Sequence, residues 1–390
     1  MERATPSAAV RVASPSRRVA DVALIALFAA AICAPLVDQF ARPAAKRSVQ
    51  VELRQPAPPP RLRFERAALL AFPKSFDLWC GDSFGLRDKL LRSRNALLWF
   101  GLRVSPTPQM MLGEGGWVFP THNRSIDNFR GACPFDAAQL DAWRRELERR
   151  RDSFAKLGSR YVYAIVPDKL SVYPEHVPAR YNRVGPSRRA QLVEHLSAHS
   201  DLRVLDLLPV LEAARRADGA ADSIYFPLGA HWTGRGALAG GMAIVARLHE
   251  LFPVIQPWSE SDFAFEPDPE PGDSWAGRLY MDGLLEQRVR RVVPLRERRA
   301  RRVEGERLPN RGVTWVNQDA SLPRAVLLHD SFGPPLIPLL AEHLSFVRAY
   351  WAPEVDARVV EELRPDVVIE MFVERALVAQ TPDVEARAAA

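Results

Sequence analysis

A chain of 390 residues has room for one large domain or two of ordinary size. An apolar fraction of 47% and a charged fraction of 26% belong to a protein most of which folds around a core, which excludes a largely disordered chain. The formal charge of +6 is mostly arginine and unevenly spread, and 33 prolines predict many irregular connections and short elements.

At the N-terminus, Arg3, Arg11, Arg17 and Arg18 precede an apolar run from Val22 to Val37, bounded by Asp21 and Asp38. With Val19 and Ala20 the run approaches the roughly 20 residues that span a bilayer. Positive charge ahead of it predicts a cytoplasmic segment over residues 1–18, an anchor or signal-anchor over 19–38 and an exported remainder. Ala34-Pro35 and Ala41-Arg42-Pro43 are poor cleavage sites, and Ala30-Ala31-Ile32 before Cys33 is unlike a lipid-attachment motif, so a retained anchor is expected over a cleaved signal. Residues 39–63, with the run Pro56-Ala57-Pro58-Pro59-Pro60, read as an extended stalk. The folded part is expected from Phe64 to residue 390. Beyond the anchor, Cys80 and Cys133 either form one disulfide or sit unpaired in the core. No CxxC or Cys/His cluster suggests zinc, and no metal or cofactor is expected.

From Asp136 the pattern is regular. Leu140, Trp143, Leu147, Phe154 and Leu157 recur at helical spacing up to Gly158. A buried strand follows at Tyr161 to Val166, then a helix at Arg188 to Ala198, a strand at Arg203 to Leu205, and helices near Val210 to Ala217 and Gly236 to Phe252. After an irregular stretch, Pro253 to Pro323, the alternation resumes: strand Ala325 to Leu328, helix Leu336 to His343, strand Phe346 to Tyr350, helix Val355 to Leu363, strand Val367 to Glu370. Strands alternating with helices predict an α/β fold with a doubly wound, mostly parallel sheet. Within the irregular stretch, Arg288 to Arg311 carries ten arginines against three glutamates. That run is either a solvated strand pair or an electropositive rim for an anionic polymer. Nucleic acid is not an expected partner of an exported chain.

Asp-Ser-Phe stands at Asp82-Ser83-Phe84 and at Asp330-Ser331-Phe332. A nucleophilic serine needs a turn after a buried strand with a helix behind it, which exposes the hydroxyl and frees backbone N–H groups for an oxyanion. Ser331 follows Ala325-Val326-Leu327-Leu328 and precedes an apolar helix, whereas Ser83 has no strand before it and reads as structural. A serine also needs a base. Of the eight histidines, His231 has the best context, in the loop Tyr225 to Thr233 just before the Gly236 helix.

These residues resemble the alginate O-acetyltransferase family, with its circularly permuted SGNH-hydrolase-like domain of flavodoxin-like type. Met111 to Phe119 resembles the family's opening G-x-D-G-W-L-F segment, Val166 to Glu175 its P-x-K-x-x-x-Y-P-E turn, and Leu205 to Leu211 its D-L-x-P-x-L stretch. His329 to Gly333 resembles the nucleophile turn, and Arg364 to Ile369 with Glu374-Arg375 the closing strand. Five fragments fall in the family's order. The resemblance implies a periplasmic domain, anchored here in the inner membrane, that transfers acetyl onto an exopolysaccharide. It also implies an acetyl donor delivered through a membrane-bound O-acyltransferase, and a Ser/His/Asp triad with the acid and base in a D-x-H-W motif. Ser331 and His231 carry over. The acid does not: the motif reads Gly229-Ala230-His231.

Three readings of that departure stand. Another carboxylate, Asp222 or Asp330, supports His231; a backbone carbonyl holds it in a slower dyad; or the chain is a degenerate glycan-binding or assembly component of an exopolysaccharide complex. On the last reading Gly229→Asp is expected to switch activity on. Trp232 either lines a sugar site or packs in the core, and Asp168, Lys169 and Tyr173 are expected to shape a turn. A GDSL-type esterase is the nearest enzymatic alternative, since it shares the acyl-enzyme. A glycosidase is disfavoured because no convincing pair of carboxylates is present.

Overall fold

The computed structural model describes residues 15–41, 55–218, 223–270, 272–354, 357–380 and 382. Arg3 and Arg11, residues 42–54 of the expected stalk, and Asp222 lie outside the described residues. The chain divides into two compact units: Met1–Leu102 with Ala276–Asp282, and Arg103–Trp275 with Gly283–Ala390.

The first unit is helical. Helix α1 (Pro15–Ala41) contains Val19–Gln39, a stretch long and apolar enough to cross a membrane. Helices α2 (Arg66–Ser83) and α3 (Arg87–Ala96) follow. The returning segment joins this unit through the Asn95 amide, which donates to Leu279 O at 2.9 Å. Ser83 ends α2, and its hydroxyl donates to Trp79 O one turn back at 2.6 Å. It follows a helix and not a strand, so it lacks the exposed turn a nucleophile needs. Cys80 and Cys133 are both unpaired.

The second unit opens with a small hairpin, β1 (Met110–Leu112) and β2 (Val118–Pro120). Helix α4 (Ala137–Lys156) starts where the sequence provides a capping box: Gln139 N donates to the Asp136 carboxylate at 2.8 Å, and the Gln139 side chain accepts from Asp136 N at 3.1 Å. It ends just before Gly158, whose φ of 82° suits glycine. Then come β3 (Arg160–Val166), α5 (Arg188–His199), β4 (Leu205–Asp206), α6 (Leu208–Asp218) and α7 (Gly234–Leu251). A two-stranded sheet, β5 (Phe263–Pro267) with β6 (Arg290–Pro294), occupies the irregular stretch. The remaining elements are β7 (Ala300–Arg302), β8 (Val313–Asn317), β9 (Arg324–His329), α8 (Ile337–Glu342), β10 (Phe346–Trp351), α9 (Ala357–Leu363) and β11 (Val367–Val373).

The main sheet has the order β4-β3-β11-β9-β10-β8-β7. Its first five strands are parallel, but β8 runs antiparallel to β10, and β7 antiparallel to β8. The expected parallel sheet is therefore a mixed one. The difference lies in the irregular stretch, where β7 and β8 follow each other through a short connection, which closes an antiparallel pair far more readily than a parallel crossover.

Alternate residues of β3, β9 and β11 feed two cores. Val162, Ala164, Leu327 and Ile369 pack with Trp232, Ile244 and Leu340 on one face. Tyr161, Tyr163, Val326 and Val368 pack with Trp143, Leu147, Leu192 and Leu196 on the other. The chain leaves β3 toward β4 on one side and β9 toward β10 on the other. At the carboxyl ends of such diverging parallel strands a crevice opens. Four groups of residues stand there: Asp168-Lys169 after β3, Ser331 after β9, Trp351 ending β10, and Glu374-Arg375 after β11.

Beneath that crevice lies a buried polar cluster. Asp168 and Arg375 form an ion pair with both side chains 5% exposed or less. Glu374, fully buried, accepts from Asp168 N at 2.7 Å and from the Ser171 hydroxyl. Burial pushes the Glu374 carboxyl up to about 7, against the pull of Arg189. Because the folded state binds this proton more tightly, Glu374 stabilises the fold most at low pH and loses that contribution as pH rises from about 4.5 through 7. Denaturant unfolding of wild type and Glu374→Gln across that range is expected to show the wild-type advantage shrinking with rising pH. A difference that is flat in pH would mean that folding leaves the Glu374 carboxyl at the pKa it has in the unfolded chain.

Candidate active site

Strand β9 is buried almost throughout and ends at His329, where the chain turns through Asp330-Ser331-Phe332-Gly333. Asp330 pins this turn. Its carboxylate accepts from Phe332 N at 2.9 Å and from Val373 N, at the end of β11, at 2.7 Å. Burial raises the Asp330 pKa against those two bonds. Asp330 is thus committed to the backbone, and the expectation that it supports His231 is not met. Gly333 is required here, since a Cβ would fall 2.3 Å from the His329 ring. Phe332 N and Gly333 N both donate to Asp330, to its carboxylate and its carbonyl respectively, so they are unavailable to an oxyanion. The Ser331 N–H has no acceptor among the described residues.

Phe332 connects the serine turn to the histidine. Its ring is fully buried, 5.0 Å from the His231 ring and 5.3 Å from Trp232 between centroids. The histidine loop is a tight reversal. Tyr225 and Trp232 pair as an antiparallel bridge, Phe226 N donates to His231 O at 3.0 Å, and Thr233 caps α7 through a bond from Gly236 N at 3.4 Å. Trp232 is 1% exposed and belongs to the core, not to a sugar site.

The structure brings to His231 a carboxylate that sequence reasoning missed. Asp273 Oδ2 accepts from Ala230 N at 2.7 Å and from His231 N at 2.8 Å, and it lies 2.8 Å from His231 Nδ1. With Nδ1–H donating to Asp273, the imidazole presents Nε2 as its basic lone pair. Burial pushes the Asp273 carboxyl up, but the bonds from the His231 ring, His231 N and Ala230 N outweigh it and hold the acid below its ordinary value. The segment is stitched to the loop further on: Gln287 Nε2 donates to Asp273 O at 2.8 Å, Leu228 N donates to Gln287 Oε1 at 2.9 Å, and Trp275 N donates to Leu228 O at 2.9 Å.

Gly229 is what makes this possible. A Cβ there would stand 2.4 Å from Asp273 O and 2.5 Å from its Oδ2. Asp273 occupies the space into which a side chain at 229 would project, so the orienting carboxylate is present but arrives from another segment. Its sequence context, Gly272-Asp273-Ser274, only repeats the tripeptide Gly81-Asp82-Ser83 and does not single it out as the partner of a histidine.

Lys169 does more than shape a turn. Its ammonium is completely buried and donates to Val118 O (2.6 Å), Phe226 O (2.6 Å), Pro227 O (2.8 Å) and Gly229 O (3.0 Å). The rings of Trp117 and Phe119 lie within 4.7 and 5.1 Å of it. Tyr173 OH accepts from Ile224 N at 3.0 Å, on the approach to the same loop. Ser331 itself lines a cleft of about 240 Å³ with His122, Asn123, His329, Trp351 and Arg375 among its walls. Burial and the Arg375 charge keep the His122 pKa low. Among the described residues no cluster of His, Cys, Asp and Glu could hold a metal ion.

Introducing a carboxylate at position 229 therefore opposes Asp273 instead of filling a gap. Gly229→Asp is expected to lower stability by about 1–3 kcal/mol through overpacking and to dislodge Asp273 from His231, which reverses the expectation from sequence. Thermal unfolding together with the nitrogen NMR shifts of the His231 ring would check this. An unchanged midpoint and an unchanged Nδ1–H tautomer would show that the loop has room to spare.

The family model described as "SGNH hydrolase-like domain, acetyltransferase AlgX" matches residues 110–308, a range that includes His231 and Asp273 and stops short of Ser331. A probable alginate O-acetylase AlgJ of Pseudomonas syringae pv. tomato is 26% identical over 215 residues, covering 54% of this chain and 51% of the relative. The chain thus spans about half the length of that curated relative. Among solved structures, the O-acetyltransferase domain of Pseudomonas putida AlgJ superposes with a TM-score of 0.44 at 19% identity over 72% of this chain and 95% of that one. Pseudomonas aeruginosa AlgX does so with a TM-score of 0.43 at 15% identity over 74% and 69%.

Proposed function

The chain belongs to the family of AlgX-type SGNH hydrolase-like acetyltransferase domains, and on that premise we propose that it transfers acetyl groups to hydroxyls of an alginate-type exopolysaccharide through Ser331. The observation that carries the reading is the Asp273–His231 pair at 2.8 Å, packed through Phe332 against the serine turn. The alternative of a degenerate member rested on a missing carboxylate, and the placement of Asp273 beside His231 favours the enzymatic reading over it.

In this mechanism His231 Nε2 takes the proton of Ser331 as Oγ attacks the donor's acetyl carbonyl. The resulting imidazolium is stabilised by Asp273 and returns the proton to the leaving group. A sugar hydroxyl then attacks the acetyl-serine ester, giving its proton to His231. Collapse of the intermediate releases the acetylated sugar, and the proton passes back to Ser331 Oγ. The Ser331 N–H and the Asn123 amide in the same cleft are the donors left for the oxyanion. The apolar helix α1 supports export with a retained inner-membrane anchor. The donor is assigned to a membrane-bound acyltransferase by resemblance to the family. Acceptance by a sugar hydroxyl separates this reading from an esterase, in which water plays that part.

The full chain, in detergent, is expected to turn over an acetyl-ester donor and to carry acetyl on Ser331 by mass spectrometry. Ser331→Ala and His231→Ala are expected to abolish both signals. Asp273→Asn should reduce turnover by up to about 10⁴-fold, because the imidazole loses its tautomer and orientation. If wild type is no faster than Ser331→Ala, on a soluble donor and in host membranes alike, the enzymatic reading fails.

A further inference from the structure

Helix α2 is apolar along one face and buries none of it. Leu69, Phe72, Phe76 and Trp79 recur at helical spacing and so line one side of the helix. Their rings form a ladder: the Phe72 and Phe76 centroids lie 6.0 Å apart, and those of Phe76 and Trp79 5.6 Å apart. Lys74 falls on the opposite side. No residue of α2 is buried, and Leu69 and Phe76 are each 44% exposed. Helix α4 is the contrast, since its Trp143 and Leu147 are packed into the core. An aromatic and aliphatic face of this length is unfavourable in water, which favours a partner that covers it.

The way α2 is attached to its own unit points to that partner. The helix ends in an elbow, Ser83 to Leu86, tied to the last turns of α1. Leu86 N donates to Asp38 Oδ2 at 2.9 Å, and the Gln39 amide donates to the Ser83 hydroxyl at 3.3 Å. Gly85 permits the approach, since a Cβ there would fall 1.9 Å from Pro35 O. Pro35 to Gln39 close the apolar stretch Val19–Gln39. With α1 as a retained anchor, they stand where the span leaves the hydrocarbon, and the elbow holds the end of α2 at that depth. Trp, Phe and Leu on one face suit the boundary between acyl chains and headgroups, and basic side chains suit anionic headgroups. Exposed Arg61, Arg63, Arg66 and Lys74 outnumber Glu65 and Asp77 over the same stretch.

We propose that α2 is an interfacial helix, its Leu69-Phe72-Phe76-Trp79 face sunk into the lipid surface from which α1 emerges. This second membrane contact is distinct from the span itself. It rests on the anchor reading of α1 for its depth, and the experiment separates the two. The full chain is reconstituted into vesicles of phosphatidylethanolamine and phosphatidylglycerol, with a nitroxide on one cysteine at a time. One variant keeps Cys33, exposed within α1, and carries Cys80→Ser and Cys133→Ala. Two others add Cys33→Ser together with Leu69→Cys or Lys74→Cys. Collision of the label with oxygen, which concentrates in lipid, is compared with collision with a water-soluble nickel chelate. The oxygen-to-nickel ratio at positions 33 and 69 is expected to be several-fold above that at position 74. Adding Phe76→Asp should bring the ratio at 69 down to that at 74, in a helix with no buried residue to disrupt. Equal ratios at 69 and 74, with position 33 in lipid, would overturn the interfacial helix and leave the anchor standing. Position 69 in lipid with position 33 in water would keep the interfacial helix and remove the anchor. A label at 69 shielded from both reagents would overturn the proposal in favour of a protein partner, and dipolar broadening there would identify that partner as a second copy of this chain.

Discussion

A fully buried lysine ammonium surrounded by four backbone carbonyls is the contact on which the geometry of the candidate site depends. Removing a charge from water is costly unless dipoles replace the water, and here the carbonyls of Val118, Phe226, Pro227 and Gly229 do so, with two aromatic faces covering the remainder. Three of those carbonyls belong to the loop that carries His231, and the fourth belongs to β2. One side chain after β3 thereby fixes the hairpin, the histidine loop and the sheet to one another. Burial drives the Lys169 pKa far down, and the negative charge of Asp273 pulls it back. The acid, the base and the lysine therefore belong to one electrostatic unit, in which a change in one charge is felt by the others.

Much of this was legible in the sequence. The period of Leu140, Trp143 and Leu147, with Asp136 before it and Gly158 after it, marked α4 nearly to its ends. The apolar runs at 161–166 and 325–328 marked the strands that became the centre of the sheet, because a strand buried on both faces has no polar residues to obscure it. Ser331 and His231 stood out for local reasons: a turn after a strand, and a loop before a helix. Asp273 offered no such context. It sits 42 positions beyond His231 in a stretch rich in proline and acid, with no periodicity to say which carboxylate turns inward. Resemblance also misled here, since a motif with adjacent acid and base makes Gly229 look like a loss. Only the packing shows that the glycine is the vacancy that Asp273 fills.

The antiparallel edge escaped for a related reason. Alternation of strand and helix describes β3, β9, β10 and β11 well, but it is silent on a segment whose strands are short and whose charges are many. The arginine-rich run is not uniform. Arg291 and Arg296 are neutralised by acids on neighbouring segments, as a solvated strand surface requires, while Arg311 stands uncommitted against an indole. Composition cannot make that distinction, because it depends on which carboxylates the fold brings within reach.

The mutual exclusion between a side chain at 229 and the carboxylate of Asp273 bears on how such a site changes over generations. A chain with its acid two residues before the histidine cannot add a second carboxylate at 273 without crowding the first, and a chain arranged as this one cannot reach that arrangement by a single substitution. Each state is stranded from the other by an intermediate with two acids or none. The two positions thus act as a single choice, since what stands at 229 decides what can stand at 273.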